Sequence, residues 1–238
     1  MDYTKEFEEY LDKLSIEKES FGDFFSFYNN QFSEYGNEVY EDIRSRLTHL
    51  KYFLENSWWN NRFHFLFRDF NKYSQIIDLG FSVPYLPLRL HKEGVLNNVP
   101  KLLYVDGNDT SKKLAKIILT KLGISADFVV GDLQDMSTWE NIQNCILPSQ
   151  KVFVSFETIE HLDQPEKFWN NLKTFSGSDM ILSLPIGPKI PSHATSFENA
   201  NEVKRYLEPY LAIREEKVFS GKEHDSAYEI YTCLAIIK

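Results

Sequence analysis

From Tyr73 onward the chain alternates short apolar runs with amphipathic stretches, and this alternation constrains the fold more than any other feature. A strand–helix rhythm builds parallel βαβ units, whose crossovers place helices on both faces of one sheet. Gln75-Ile76-Ile77-Asp78-Leu79 has the pattern of a buried strand that stops at Gly80, and Pro84 and Pro87 follow where the first helical turn tolerates proline. Lys101–Val105, Ala126–Val130, Lys151–Ser155 and Asp179–Leu184 are the next four strands. Between them, Thr110 or Ser111 is expected to cap a helix that stops at Gly123. A short helix is expected at Trp139–Cys145, Pro165 opens another, and Glu198–Leu211 is helical. Two long strand patterns, Ile213–Phe219 and Tyr228–Ile237, close the series with no helix between them, which implies an antiparallel hairpin at one edge. The expected fold is α/β: a doubly wound, seven-stranded, mostly parallel sheet.

Residues 1–73 have a different grammar. Phe7, Tyr10, Leu11 and Leu14 share one helical face within Lys5–Lys18, and Ile43, Leu47, Leu50 and Leu54 share another from Val39. Aromatic clusters lie between and after them, at Phe21–Phe32 and at Trp58-Trp59, Phe63, Phe65, Phe67 and Phe70. This part is expected to be an N-terminal helical cap (1–73) on the sheet domain (74–238). Its aromatics either pack the cap onto the sheet or line a pocket there.

Charge and cysteine content bound the partners. A formal net charge of −9 with no Lys/Arg stripe argues against a nucleic-acid backbone as partner. No apolar run approaches the length of a membrane span, and the first residues lack a secretory pattern. Two cysteines, Cys145 and Cys233, form no framework, so a cytoplasmic protein is expected. Monomer and homodimer both stay open.

In an open α/β sheet, ligands bind outside the carboxyl ends of the strands. Five successive strand ends here carry informative residues: Asp78-Leu79-Gly80-Phe81-Ser82-Val83-Pro84, then Asp106-Gly107, Asp132-Leu133, Ser155-Phe156-Glu157-Thr158-Ile159-Glu160-His161-Leu162 and Ser183-Leu184-Pro185 with His193 beyond. In order and spacing they resemble the class I S-adenosylmethionine-dependent methyltransferases, over about residues 74–238. The Glu-x-x-Glu-His-Leu segment resembles the enzymes acting on quinone precursors, on sugars and on the 3′ ends of small RNAs.

That resemblance implies a Rossmann-like methyltransferase fold and S-adenosylmethionine as cofactor. It assigns Asp78, Gly80, Ser82, Asp106, Gly107, Asp132, Leu133, Ser155 and Phe156 to the cofactor. Asp106 would accept from the ribose diol, Asp132 from the adenine amino group, and the Leu133 amide would reach a ring nitrogen. Ser82 and Pro84 stand where further glycines are common. His161 and His193 are the candidate general bases, histidine being the side chain that ordinarily changes charge near neutral pH, with Glu157 beside them. Glu157, Glu160, His161 and His193 also form a two-carboxylate, two-imidazole set, comparable to one that holds a divalent metal in small-RNA 2′-O-methyltransferases. The preferred expectation is O-methylation of a small molecule or a sugar/glycan precursor without a metal. The alternatives are a metal-using RNA 2′-O-methyltransferase, a non-catalytic binding module, and a nucleotide-dependent oxidoreductase. The missing Gly-x-Gly-x-x-Gly speaks against the last.

Overall fold

A computed structural model describes residues 58–95, 98–222 and 226–238. The expected helices at Lys5–Lys18 and Val39–Leu54 lie outside the described residues. Seven strands form one sheet: β1 Gln75–Leu79, β2 Lys101–Asp106, β3 Ala126–Val130, β4 Lys151–Phe156, β5 Asp179–Ile186, β6 Leu211–Ser220 and β7 Glu229–Ile237. Their spatial order is β3-β2-β1-β4-β5-β7-β6. The first five strands pair in parallel, whereas β7 runs antiparallel to both β5 and β6. The strand order reverses between β1 and β4, which fixes where a ligand crevice opens.

Side chains alternate across the sheet as period-two strands require. Ile76, Val152 and Val154 face one layer, with Leu86, Leu90, Ala115 and Leu119 from the helices α2 (Tyr85–Lys92) and α3 (Asp109–Lys121), while Ile77 and Phe153 face the other. That second layer is closed by α4 (Met136–Cys145), α5 (Pro165–Leu172) and α6 (Ala200–Leu207), through Trp139, Phe168, Trp169 and Leu207. Every residue of β1 is buried, so the central strand shows no polar alternation. The edge strand β6 is mostly exposed and carries Arg214, Glu215, Glu216 and Lys217, charges that discourage pairing with another chain.

Residues 58–73 add two 3₁₀ turns, Trp58–Phe63 and Phe70–Lys72, around the short helix α1 (His64–Arg68). Phe63, Phe65, Leu66, Phe70 and Tyr73 are buried in the same core as α2 and α3. Each such side chain contributes about 1.5–3 kcal/mol. These aromatics pack the segment onto the sheet, and Phe63, with Trp58, also lines a cleft at the sheet's carboxyl edge.

Several helix ends differ from expectation. The helix α3 starts at Asp109, so Thr110 and Ser111 lie inside its first turn rather than ahead of it. Its end at Gly123 is as expected, with that glycine at φ +67°. The helix α4 starts at Met136, three residues before Trp139. The helix α6 is shorter than Glu198–Leu211: the Asn199 side chain accepts from the amides of Asn201 and Glu202 and sets the start, while Leu211 already belongs to β6.

Candidate active site

At the carboxyl edge, over the reversal of strand order, lies a cleft of about 840 Å³. Its floor begins at β1. Asp78 is 6% exposed, and Gly80 follows at φ +77°. A Cβ on Gly80 would run into the Thr158 side chain, whose hydroxyl donates to the Gly80 carbonyl at 3.1 Å. Glycine here satisfies both the left-handed backbone and the close approach of the β4 loop. Ser82, at φ +49°, holds a backbone conformation that glycine adopts more easily. The turn expected of a glycine is therefore present without one.

Asp106 ends β2. Its Oδ2 accepts the Ser82 amide and its Oδ1 the Asn108 amide, both at 2.8 Å. Each oxygen keeps a further lone pair for a ligand donor. Gly107 lines the cleft beside it. Past β3, Asp132 Oδ1 accepts the Gln134 amide at 2.8 Å, in an Asx turn. The N-cap of α4 is Asp135, so Asp132 is not a helix cap and lines the cleft with the buried Leu133.

At the end of β4 and beyond it, Phe156, Glu157, Glu160 and His161 all line the cleft. Ser155 does not: it is fully buried within β4, and its hydroxyl finds no hydrogen-bond partner among the described residues. Phe156, the next residue and the last of β4, is also buried but lines the cleft.

Glu157 stands at φ +53° and turns toward β5, where its Oε1 accepts from the Ser183 hydroxyl at 2.8 Å. Glu160, at 1% exposure, has neither carboxylate oxygen hydrogen-bonded among the described residues. The Glu160 oxygen lies 3.9 Å from His161 Nε2, and the His161 and His193 rings meet edge to face at 4.8 Å between centroids. One ligand atom from each of Glu160, His161 and His193 lies within 4.8 Å of the others. Three of the four expected metal-set residues thus converge, while Glu157 is held apart by Ser183.

The His161 Nδ1 lies 2.8 Å from the Ser192 carbonyl. A carbonyl only accepts, so Nδ1 carries the proton, and a neutral ring would then leave the Nε2 lone pair to accept.

Burial dominates the electrostatics. It raises Asp78 to about 8, with the Asp106 charge adding to the rise and Arg62 opposing it. Burial likewise raises Glu157, against Arg62 and the Ser183 bond, and it raises Glu160 well above the ordinary range, helped by the Glu157 charge. His193 is lowered by burial and then by His161.

Other lining residues were not singled out as site residues, although Trp58 and Phe63 belong to the aromatic run whose alternative reading was the lining of a pocket. Arg62 and Trp58 come from the first 3₁₀ turn, Tyr85 from α2, Tyr228 from just before β7 and Ile230 from its start. The signals available were Arg62 embedded in the aromatic run from Trp58 to Phe67 and an antiparallel strand starting where parallel strands end.

The strand order is that of the Rossmann-like fold of class I S-adenosylmethionine-dependent methyltransferases. A search of solved structures bears this out. An S-adenosylmethionine-dependent methyltransferase from Anabaena variabilis is similar with a TM-score of 0.53 at 12% identity, covering 79% of this chain and 91% of that one. One from Aquifex aeolicus has a TM-score of 0.51 at 16% identity, covering 75% of this chain and 93% of that one. The small RNA methyltransferase HEN1 has a TM-score of 0.50 at 14% identity, covering 73% of this chain but 25% of its own. No protein-family model matches the sequence, and no curated protein does. No helix among the described residues is long and apolar enough to cross a membrane.

Proposed function

We infer that this protein is a methyltransferase that uses S-adenosylmethionine to O-methylate a small molecule or a sugar/glycan precursor. One observation carries the reading: a single cleft joins Asp78, Asp106 and Asp132 from three successive strand ends to an imidazole pair past β4 and β5. Asp106 would take the ribose diol, and Asp132 with the Leu133 amide would take the adenine. Trp58, Tyr85, Tyr228 and Ile230 supply apolar wall to the same cleft, which suits a compact acceptor shielded from water.

In the reaction the acceptor oxygen attacks the sulfonium methyl in line. The chain's part is to align the pair and take the hydroxyl proton. His161 is the candidate base, because the Ser192 carbonyl fixes its tautomer and leaves Nε2 to accept. His193 packs against it and sets the ring's position. With two free cysteines the protein would work in the cytoplasm.

A second reading is favoured by the convergence of Glu160, His161 and His193. Their mixed oxygen and nitrogen donors fit a divalent ion, and the buried Glu160 carboxylate lacks any other hydrogen-bond partner among the described residues. Such an ion would polarise an acceptor hydroxyl, and the acceptor would then be an RNA 3′ end. Metal ligation would occupy the same His161 Nε2 that a general base needs, so the two readings exclude each other.

The test is calorimetric titration with S-adenosylmethionine and S-adenosylhomocysteine, followed by methyl transfer to hydroxylated small molecules and to short RNAs, with and without chelator. Micromolar cofactor binding and chelator-resistant transfer to a small acceptor support the first reading. Chelator-sensitive transfer to RNA alone replaces it with the second. A protein that binds neither ligand is not a methyltransferase.

A further inference from the structure

His193 is buried, yet the chain that carries it into the cleft lies on the outside: Pro188, Lys189, Pro191 and Ser192 are all exposed. They belong to a surface loop, 187–197, closed at its base where the Gly187 amide donates to the Phe197 carbonyl at 2.9 Å. Exposed residues bury little apolar surface, so hydrogen bonds must set the shape of this loop. Within it, the His193 amide donates to the Ile190 carbonyl at 3.0 Å, a turn with Pro191 in its second position. On the far limb, the Thr195 amide donates to the Glu160 carbonyl at 3.1 Å. At the tip, the Ser192 carbonyl accepts from His161 Nδ1 at 2.8 Å.

The near limb is held by Tyr228, whose hydroxyl donates to the Pro188 carbonyl at 3.0 Å. Tyr228 is itself anchored. Its amide donates to the Ser226 hydroxyl at 3.2 Å, and its carbonyl accepts the Gly221 amide at 3.0 Å. Its ring lies so close to Gly187 that a Cβ there would come within 2.6 Å of it, and Gly187 has φ +154°, so glycine is required on both counts. Ring and hydroxyl thus grip two successive residues of the loop, directly after the end of β5. Tyr228, Ile190, Ser192 and His193 all line the cleft.

We propose that Tyr228 is a positioning residue for the imidazole pair: through Pro188 it sets the 187–197 loop, which brings the Ser192 carbonyl to His161 Nδ1 and the His193 ring against His161. The loop thereby turns His161 Nε2 toward the cleft. That the pair serves methyl transfer rests on the reading above; the placement of the rings by Tyr228 does not.

The tautomer of His161 reports this arrangement. It is read by long-range proton–nitrogen correlation on the full chain with isotope-labelled histidine, stripped of metal by chelator, at about pH 8.5, where an ordinary imidazole is neutral. The signal lost in His161→Asn assigns it. The parent should show the Nδ1–H form. Tyr228→Phe keeps the ring against Gly187 but removes the donor, and should lower the ratio of Nδ1–H to Nε2–H about threefold or more, the worth of an ordinary hydrogen bond. His64, packed on Phe65 and Phe219, should keep its form. Pro191→Gly leaves the Tyr228 bond in place and slackens the chain between Pro188 and Ser192, so it should change His161 in the same direction; it decides the question if Tyr228→Phe does not fold. A merely structural Tyr228 would lower the melting temperature and leave the ratio as it was. That result, or a parent in the Nε2–H form, overturns the proposal.

Calorimetry with S-adenosylhomocysteine separates the proposal from the cofactor reading. Tyr228 shares no hydrogen-bond partner with Asp106 or Asp132 among the described residues, so Tyr228→Phe should leave this affinity within about twofold of the parent. A loss of about tenfold would place Tyr228 in the cofactor site and overturn its assignment to the imidazole pair. If the parent does not bind the ligand, the cofactor reading falls, while the tautomer ratio still decides the positioning.

Discussion

The Asp106 carboxylate accepts the Ser82 amide at 2.8 Å, tying the end of β2 to the turn that follows β1. One side chain thus braces the loop on which the cofactor's methionine end would rest and presents its remaining lone pairs to the ribose. Asp106→Ala should remove both functions. We expect at least a hundredfold loss of S-adenosylmethionine affinity, and Asp106→Asn, which keeps a single acceptor oxygen, should lose about tenfold less than that. Calorimetry on the two variants checks this, and equal losses would show that the brace rather than the acceptor matters.

Ser82 at φ +49° is the second prediction. A left-handed non-glycine costs about 1–2 kcal/mol, and glycine gives back part of the gain through chain entropy. Ser82→Gly should therefore stabilise the protein by about 0.5–1 kcal/mol in denaturant titration. Ser82→Val should destabilise it by more than that.

Gly80→Ala should do the reverse. The added methyl meets the Thr158 side chain at a backbone with φ +77°. A loss of about 2–3 kcal/mol is expected from the strain and the overpacking together. Thermal melts of Gly80→Ala with and without Thr158→Ser would show partial relief if the contact is the cause.

The buried Asp78 makes stability depend on pH. Its carboxyl rises from an ordinary 3.8 to about 8 on folding, burial first and the Asp106 charge second. Between those values the folded chain holds a proton that the unfolded chain has released. The group's contribution is therefore complete below the lower value and is lost as pH rises through about 8, with a slope of at most about 1.4 kcal/mol per pH unit. Melting curves from pH 5 to 8.5 should fall with pH, and Asp78→Asn should flatten them.

The imidazole pair separates the two functional readings. His161→Asn should abolish transfer under either, whereas Glu160→Gln should matter most for a metal. A Mn²⁺ titration should then weaken by about 10–100-fold in Glu160→Gln. No measurable Mn²⁺ binding by the parent protein would leave His161 as a base.

The strands were legible because each is a short apolar run bounded by glycine, proline or charge, and Gln75–Leu79 and Ala126–Val130 lie where the pattern put them. Helix ends were less so, since an Asn199 cap three residues ahead of Glu202 competes with an amphipathic pattern that continues through Leu211. Within the site, spacing placed Asp78, Asp106, Asp132 and His161 along one cleft. Spacing says nothing of side-chain direction, and so missed that Ser155 points into the sheet and that Ser183 draws Glu157 away from Glu160. Arg62 was hidden for a different reason: its partners lie on elements far along the chain, and only packing brings them together.

The strand β7 follows β6 in the chain yet sits between β5 and β6 in the sheet. During synthesis, then, β6 leaves the ribosome with no neighbour to pair with, and the apolar flank of β5 stays open until Glu229–Ile237 has emerged. The nascent chain must carry that sticky edge from the end of β5 until β7 has been made, past α6 and β6, which makes this the stage at which a chaperone would have most to protect.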